Sequence, residues 1–313
     1  HARVRSLIGA ARFPIFIFVF STLLNFRFQQ YSKKMRFYVM TDSKSETASR
    51  IKAEIIQSTV IPFAKIKLSA EPCAIFDSKV GGLPYLPPDA DAPTDAKGNK
   101  LYLLAQINCE DIAGLPDFPH KGMLQFFISD DDLYGSTLTV PSPQKDWRVV
   151  YCPEIDRSVK PSAVAEVYAD MPEIEFTPIS HECKMTFEMA SEGLTTGDYR
   201  FEQMFIRRWN EVFPEDDVTA VFDLDDEVFD IIVSNEDASV PAHKMCGYPF
   251  FTQADPRDED SAQYDTLLFQ LDTEFREEIG VMWGDLGVGN FFINREALKR
   301  LDFSDVLYNW DCG

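Results

Sequence analysis

The sequence predicts a mainly β (α+β) fold with two related halves and a few peripheral helices. The main evidence is an internal duplication, because three blocks recur in the same order at offsets of 165, 164 and 165 residues. These blocks are 78–86 and 243–251, 103–108 and 267–272, and 126–128 and 291–293. Self-similarity at a fixed spacing indicates a repeated supersecondary unit, here a turn followed by two strands.

Each repeated unit begins with a turn and continues into a buried strand. Gly82 and Gly247 allow a positive φ or a close backbone approach, which most other residues resist. Segments 103–107 and 267–271 are near-continuous apolar runs, which is typical of strands buried on both faces. The third block of each half predicts a second, aromatic strand.

Two glutamines interrupt the predicted buried strands. Gln106 and Gln270 occupy matching positions, and a buried amide must be hydrogen-bonded or it costs several kcal/mol. One interpretation is a structural bridge from each amide to a backbone group. The other is an amide that faces a ligand, and the sequence leaves both open.

The remaining segments predict helices and two further strands, one of them a half-exposed strand at Lys184–Met189. Ser43 and Glu46 form a capping box, so a helix is expected to begin there. An amphipathic helix is predicted to start at Asp198 and to continue until a proline stops it. We also predict a strand at Val228–Val233 and a short helix from Arg295 to Arg300.

The first residues differ from the rest of the chain. Residues 1–40 carry seven basic side chains and no acidic one, and they include an apolar run at Phe13–Phe20. That run is shorter than the roughly 20 apolar residues that a membrane-spanning helix needs. We expect residues 1–34 to lie outside the working protein, for example as translated upstream sequence. A secretory signal or membrane-surface anchor, and a native strand or helix, are the alternatives.

Charge and cysteine content exclude several classes of protein. Lys and Arg number 30 and Asp and Glu 51, so the net charge is −21. Phosphate neutralisation needs clustered basic residues, so a sequence-independent nucleic-acid binder is excluded. The six cysteines are widely spaced and form no C-x-x-C motif, which favours reduced thiols in a cytoplasmic protein over a disulfide scaffold.

No metal site, cofactor or catalytic site is predicted. His181, Cys183, His243 and Cys246 are the nearest approach to a zinc ligand set, but the gap of 60 residues between the two pairs matches no compact site. The S-x-x-K spacing of Ser49–Lys52 is short and common, and its partner motifs are absent. Few histidines remain for acid–base catalysis.

Several motifs, taken in order, resemble the YwqG-like family. They are Ser78–Pro84, Leu104–Asn108, Gly122–Ile128, His243–Met245, Gly247–Pro249, Met282–Asp285 and Gly289–Ile293. The resemblance runs from about residue 60 to the C-terminus and implies a mostly β, roll-like fold with related halves, found in bacterial proteins of unknown function. Cys246 departs from the pattern, since glycine is expected there. We therefore divide the chain into a segment, 1–34, and a single YwqG-like domain, 35–313, with pseudo-repeats at about 60–150 and 225–313.

Acidic side chains cluster in two places. Segment 215–230 has eight acidic residues and no basic one, whereas Arg257 dilutes the second cluster at 255–260. Such runs are typical of solvated surface, and complementary charge also speeds association with a basic partner. We predict a non-enzymatic binding module that docks a basic protein, one version being an inhibitor or immunity-type protein. The candidate contact residues are Asp216, Asp217, Asp225 and Asp226.

A small-molecule binder or enzyme is the alternative. Its cleft would lie between the two halves, since ligand pockets often form where two units meet. The candidate lining residues are Lys79, Gln106, Lys244, Gln270, Trp283 and Asp285. Each lysine has a second interpretation, in which it binds a carboxylate or the carbonyl groups of its own loop. The glycine-rich segment around Trp283 equally fits a tight β-turn.

Overall fold

The computed structural model describes residues 43–137, 143–234, 243–276 and 278–313, and these ranges contain twelve strands and five α-helices. The strands are β1 (Ile61–Ser69), β2 (Lys79–Val80), β3 (Tyr102–Asn108), β4 (Met123–Ile128), β5 (Trp147–Cys152), β6 (Cys183–Glu192), β7 (Lys244–Cys246), β8 (Thr266–Asp272), β9 (Glu274–Arg276), β10 (Ile279–Val281), β11 (Val288–Ile293) and β12 (Val306–Asp311). The helices are α1 (Lys44–Ser58), α2 (Pro161–Val167), α3 (Tyr199–Val212), α4 (Asp226–Val233) and α5 (Arg295–Lys299). The expectation for residues 1–34 lies outside the described residues.

Ten of the strands form one antiparallel sheet, which confirms the mainly β class. Its order is β12-β11-β8-β7-β1-β6-β2-β3-β4-β5, and β9 and β10 form a separate pair. The long strands β1 and β6 lie at the centre and pair along nine positions. An arm of four strands extends from each: β7, β8, β11 and β12 beyond β1, and β2, β3, β4 and β5 beyond β6.

The sheet curls until the two arms face each other. Phe126 of β4 has its ring centroid 4.8 Å from those of Phe269 on β8 and Phe291 on β11, although these strands are far apart in the sheet order. The ring centroid of Trp147 on β5 lies 5.3 Å from that of Tyr308 on β12. The inner faces of both arms therefore share one apolar core, and the sheet almost closes on itself.

Local capping signals start two helices where the sequence predicts them. Ser43 Oγ accepts a hydrogen bond from the N–H of Glu46 (3.1 Å), and Glu46 Oε2 accepts one from the N–H of Ser43 (2.9 Å). Helix α3 begins after Asp198, whose carboxylate accepts a hydrogen bond from the N–H of Arg200. The short C-terminal helix is also present, as α5.

Helices α1, α3 and α4 pack together and form a second apolar core beside the sheet. It includes Ile55 of α1, Trp209 of α3 and Ile232 of α4. The predicted strand at Val228–Val233 is wrong, because these residues belong to α4. Val228 and Ile232 are both buried, and a spacing of four residues places them on one face of a helix that packs against its neighbours.

None of the helices in the described ranges has the length and apolar character needed to cross a bilayer.

Candidate functional site

Two turns, one after β2 and one after β7, have the same unusual backbone conformation. Gly81 and Gly82 have φ angles of +69° and +71°, and Cys246 and Gly247 have φ angles of +60° and +75°. This left-handed region suits glycine and strains most other residues. Cys246 is thus a non-glycine residue in a position whose geometry favours glycine, which explains why the pattern has glycine there.

A carboxylate lies directly against the second glycine of each turn. A Cβ atom built on Gly82 would lie 2.0 Å from Oε1 of Glu182, and one built on Gly247 would lie 2.1 Å from Oε1 of Glu192. Glu182 immediately precedes β6, one of the two central strands, and Glu192 is the last residue of that strand. The glycines are therefore needed twice, once for their φ and once for the space that the carboxylate fills.

The two candidate lysines each bind one of these carboxylates. Lys79 has a side chain only 3% exposed, and its Nζ donates to Oε1 of Glu182 (2.7 Å). Lys244 Nζ donates to both oxygens of Glu192 (2.8 Å each) and to the carbonyl oxygen of Tyr248 in its own turn (3.0 Å). Both side chains are thus paired with carboxylates at the two ends of β6, and Lys244 also bonds to a carbonyl group of its own turn.

Substitution of Gly82 tests the role of the carboxylate. Gly98 offers a matched control, because its φ is +86° and nothing lies within 4 Å of a Cβ built there. Gly98→Ala should cost about 1–2 kcal/mol for the backbone alone. Gly82→Ala should cost at least about 1 kcal/mol more, because it also displaces Glu182 from buried Lys79. Urea unfolding of both variants measures the difference, and equal losses would contradict this role.

The two candidate glutamines bridge β3 and β8 to the segments that follow the turns. Gln106 Oε1 accepts a hydrogen bond from the N–H of Tyr85 (2.8 Å), and Gln270 Oε1 accepts one from the N–H of Phe250 (2.7 Å). Gln106 Nε2 also donates to the carbonyl oxygen of Ile75 (2.9 Å). Both amides are fully buried, and these bonds satisfy the requirement that burial imposes.

His243, which the sequence analysis considered as a zinc ligand, has a structural role in the second arm. Its Nδ1 accepts a hydrogen bond from the N–H of Asp272 (3.0 Å), so its Nε2 carries the proton that it donates to Glu274 (2.9 Å). That hydrogen bond lowers the pKa of Glu274 despite its partial burial. Ser78, at the matching position of the first arm, likewise accepts a backbone N–H and donates to Asp111 (2.6 Å). Across the described ranges, no three His, Cys, Asp or Glu side chains are grouped so that they could hold a metal ion.

Trp283 and Asp285 lie in different environments. Trp283 is fully buried in the inner core, where its ring packs against Tyr134 (5.5 Å) and Trp310 (6.1 Å). Asp285 is exposed. The six candidate cleft residues therefore divide between the strands of the two arms, the inner core and the surface. None of them lines the cavity beside Gly81–Pro84 or the one beside Cys246–Tyr248.

Each turn borders a cavity. The first cavity, of about 570 Å³, lies between the turn at Gly81–Pro84, the start of β3 and the irregular segment 168–182. The second, of about 250 Å³, lies beside Cys246–Tyr248 and is bordered by Asp117 and Arg295. The larger one falls within the range of about 300–1,000 Å³ that is usual for small-molecule sites.

The acidic segment before α4 is continuous with the start of that helix. Lys44 Nζ lies 2.8 Å from a carboxylate oxygen of Asp216 and 3.8 Å from one of Asp225. Asp216 also accepts a hydrogen bond from the indole nitrogen of Trp209 (3.1 Å), and its bond with Lys44 lowers its pKa. Asp216 is therefore partly structural, whereas Asp217, Asp225 and Asp226 are exposed.

An exposed aromatic ring lies among these acids. Phe222, in a 3₁₀ turn at Val221–Asp223, is 79% exposed, and its ring lies 5.3 Å from that of Phe229. We define the acidic–aromatic surface as Phe222 with Asp217, Asp223, Asp225, Asp226, Glu227 and Asp230. Among the described residues, no basic side chain forms an ion pair with Asp217 or Asp226. Much of the negative charge of the acidic–aromatic surface therefore faces solvent.

Sequence reasoning missed a buried ion network around Arg257. This side chain is 1% exposed, and its Nη2 lies 3.0 Å from Asp198 and 2.7 Å from Asp255. Its guanidinium carbon lies 4.0 Å from the ring centroid of Phe292 on β11. A single arginine within an acidic cluster was the signal, and it points to a buried partner for the carboxylates rather than to a diluted surface charge.

Fold and turns together define a mainly β protein in which each of two glycine turns holds a lysine–glutamate pair. A family model described as "Domain of unknown function (DUF1963)" matches residues 78–312. The chain belongs to this family, which is also known as YwqG-like. A comparison with curated proteins found no match.

Proposed function

We propose that this protein is a non-enzymatic binding module that docks a basic protein partner on its acidic–aromatic surface. The observation that carries the proposal is Phe222, a large apolar side chain that is 79% exposed within the acidic segment 215–230. One version of this function is an inhibitor or immunity-type protein that neutralises a basic target.

The composition of the surface suits a basic partner. Aromatic anchors supply much of the binding energy at protein interfaces, and Phe222 offers one without any rearrangement of the fold. Carboxylates around an anchor attract Lys and Arg on the partner and speed the encounter. An arginine of the partner could also stack on the ring of Phe222, adding a cation–π interaction.

Two further features belong to the proposal. All six cysteines are free thiols, which supports a reducing compartment such as the cytoplasm. We also infer that the two arms arose by duplication. Two observations support a duplication. The arms have the same layout about β1 and β6, and Lys79 and Lys244 form matching bonds to their glutamates.

The docking proposal predicts a large effect for Phe222→Ala. With the full chain as bait and its captured partner purified, affinity should fall about 30-fold or more, as expected for loss of an anchor. Stability should not change, because the ring is exposed. Calorimetric titration and thermal unfolding measure the two quantities, and unchanged affinity would sink the proposal.

The charge is tested separately from the anchor. Neutralising Asp217, Asp225 and Asp226 with asparagine, while sparing the structural Asp216, should slow association at least about tenfold at low salt and weaken its salt dependence. The matched control replaces exposed acids elsewhere with glutamine, which removes the same charge. The control residues are Glu154, Glu166 and Glu173. An equal effect of both sets would mean that net charge alone, and not this surface, attracts the partner.

A small-molecule function is the second candidate. Lys79 bonds to Glu182 beside the central strand β6, and Gln106 accepts a hydrogen bond from Tyr85, which follows the first turn. Neither side chain faces the other arm through these bonds, so they do not favour a cleft between the arms. The specific observation in favour of a ligand is the large cavity at the first turn.

A further inference from the structure

The cavity at the first turn has mainly apolar walls. Leu83 and Pro84 of the turn form one side, and Leu103, Met171 and Ile174 contribute others. The space of about 570 Å³ is sufficient for a molecule of one or two rings. Such a lining favours an apolar ligand body, because burial of apolar surface is the main source of affinity in small-molecule sites.

The outer wall of the cavity is held in place by hydrogen bonds. Asp130 accepts hydrogen bonds from the N–H groups of Glu175 (3.1 Å) and Phe176 (2.6 Å). The hydroxyl of Tyr102 donates to the carbonyl oxygen of Phe176 (2.9 Å), and the N–H of Ser180 donates to Gly280 (2.8 Å). Segment 168–182 is thus attached at several points, so the cavity is part of the folded state.

One polar group in the cavity wall lacks a partner. Tyr168 lines the cavity, and its buried hydroxyl makes no hydrogen bond within the described residues. Burial raises the pKa of Tyr168, so the phenol stays neutral and can both donate and accept a hydrogen bond. A buried hydroxyl without a partner is unfavourable for the free protein, and a ligand that supplies the partner would remove that penalty.

The charges at the cavity disfavour an anion. No Lys or Arg is among the residues that line it, whereas Glu182 is one of them and has 38% of its side chain exposed. The net charge of the whole chain is −21. The carboxylate of Glu182 is paired with Lys79, so a negatively charged ligand would meet a carboxylate and no unpaired Lys or Arg at this cavity.

We propose that this cavity binds an uncharged, mainly apolar small molecule whose hydroxyl or carbonyl group forms a hydrogen bond with Tyr168. This site is separate from the acidic–aromatic surface, and the two share no residue. Loss of one function therefore leaves the other intact, and the variants below should not change binding of a protein partner.

The test uses 2-naphthol as the probe and 2-naphthoate as its charged counterpart. In calorimetric titration of the full chain, 2-naphthol should bind saturably and 2-naphthoate should not. Tyr168→Phe should weaken 2-naphthol binding by about two- to tenfold, the effect of one hydrogen bond. The same variant should raise the melting temperature of the free protein, because it removes the unpaired hydroxyl.

A second variant keeps the proposal testable if Tyr168 proves insensitive to substitution. Ile174→Trp fills the cavity from a partly exposed wall position, and it should abolish binding while the protein stays folded by circular dichroism. Absence of saturable 2-naphthol binding, equal affinity for 2-naphthoate, or unchanged affinity in both variants would overturn the proposal.

Discussion

Replacement of Arg257 by methionine is expected to lower the free energy of unfolding by about 3–5 kcal/mol at neutral pH. The guanidinium of Arg257 is buried against the ring of Phe292 and forms ion pairs with Asp198 and Asp255. The side chains of these aspartates are 0% and 3% exposed. Methionine fills similar space but leaves buried carboxylates with too little positive charge, and this uncompensated burial is the source of the loss.

The loss should depend on pH. Burial by itself would raise the pKa of Asp198, but the hydrogen bond from Arg200 and the charge of Arg257 outweigh it, so the pKa lies below its ordinary value of 3.8. A lowered pKa means that the carboxylate adds stability above its unfolded pKa and loses this contribution as the pH falls through the folded pKa. Without Arg257 the pKa of Asp198 should rise, so protonation relieves the variant as the medium becomes acidic. The difference between wild type and variant should therefore shrink towards about pH 4.

Urea unfolding followed by tryptophan fluorescence, at neutral pH and near pH 4, checks both expectations. Arg207→Met is the matched control, because Arg207 lies on α3 and is exposed; it should change stability by no more than about 0.5 kcal/mol. Arg257→Lys retains the charge without the planar fork and should recover only part of the loss. If Arg257→Met costs no more than Arg207→Met, the network does not stabilise the fold.

Much of the fold can be predicted from the sequence, because buried positions are occupied by apolar residues in a pattern that depends on the secondary structure. The apolar runs around Gln106 and Gln270 predict strands covered on both faces, and every residue of β3 is buried. The capping box at Ser43 and Glu46 defines the start of α1. A short run such as Val228–Val233 shows no clear period, and periodicity alone cannot separate a short buried strand from a short buried helix. Contacts with α1, including hydrogen bonds from Lys52 Nζ to carbonyl groups at the end of α4, accompany the helical form.

The candidate sites were harder to predict because their partners are distant in sequence. Lys79 and Glu182 are separated by 103 residues, and Lys244 and Glu192 by 52. The pattern identified the lysines, but only the folded sheet brings the ends of β6 to both turns. Tyr168 carried no signal at all, because an unpaired hydroxyl is a property of its surroundings.

Phe291→Ala is expected to have a comparably large effect, a loss of about 3–5 kcal/mol. Phe291 is fully buried where the two arms of the sheet meet. Its ring is stacked on that of Tyr308, with the centroids 4.4 Å apart and an interplanar angle of 5°. Its centroid also lies 4.8 Å from the ring centroid of Phe126 on the opposite arm. Truncation removes these contacts and leaves a cavity that surrounding strands, fixed by their hydrogen bonds, cannot readily fill.

Phe275→Ala provides the control, because the same truncation at a side chain that is 69% exposed should change stability little. Contact between the arms is tested by a double-mutant cycle of Phe126→Leu and Phe291→Leu, measured by urea unfolding. If the arms pack face to face, the two losses should be coupled by about 0.5–1.5 kcal/mol. Strictly additive losses would mean that each arm buries its aromatic residues independently, and the sheet would then not be closed by contact between Phe126 and Phe291.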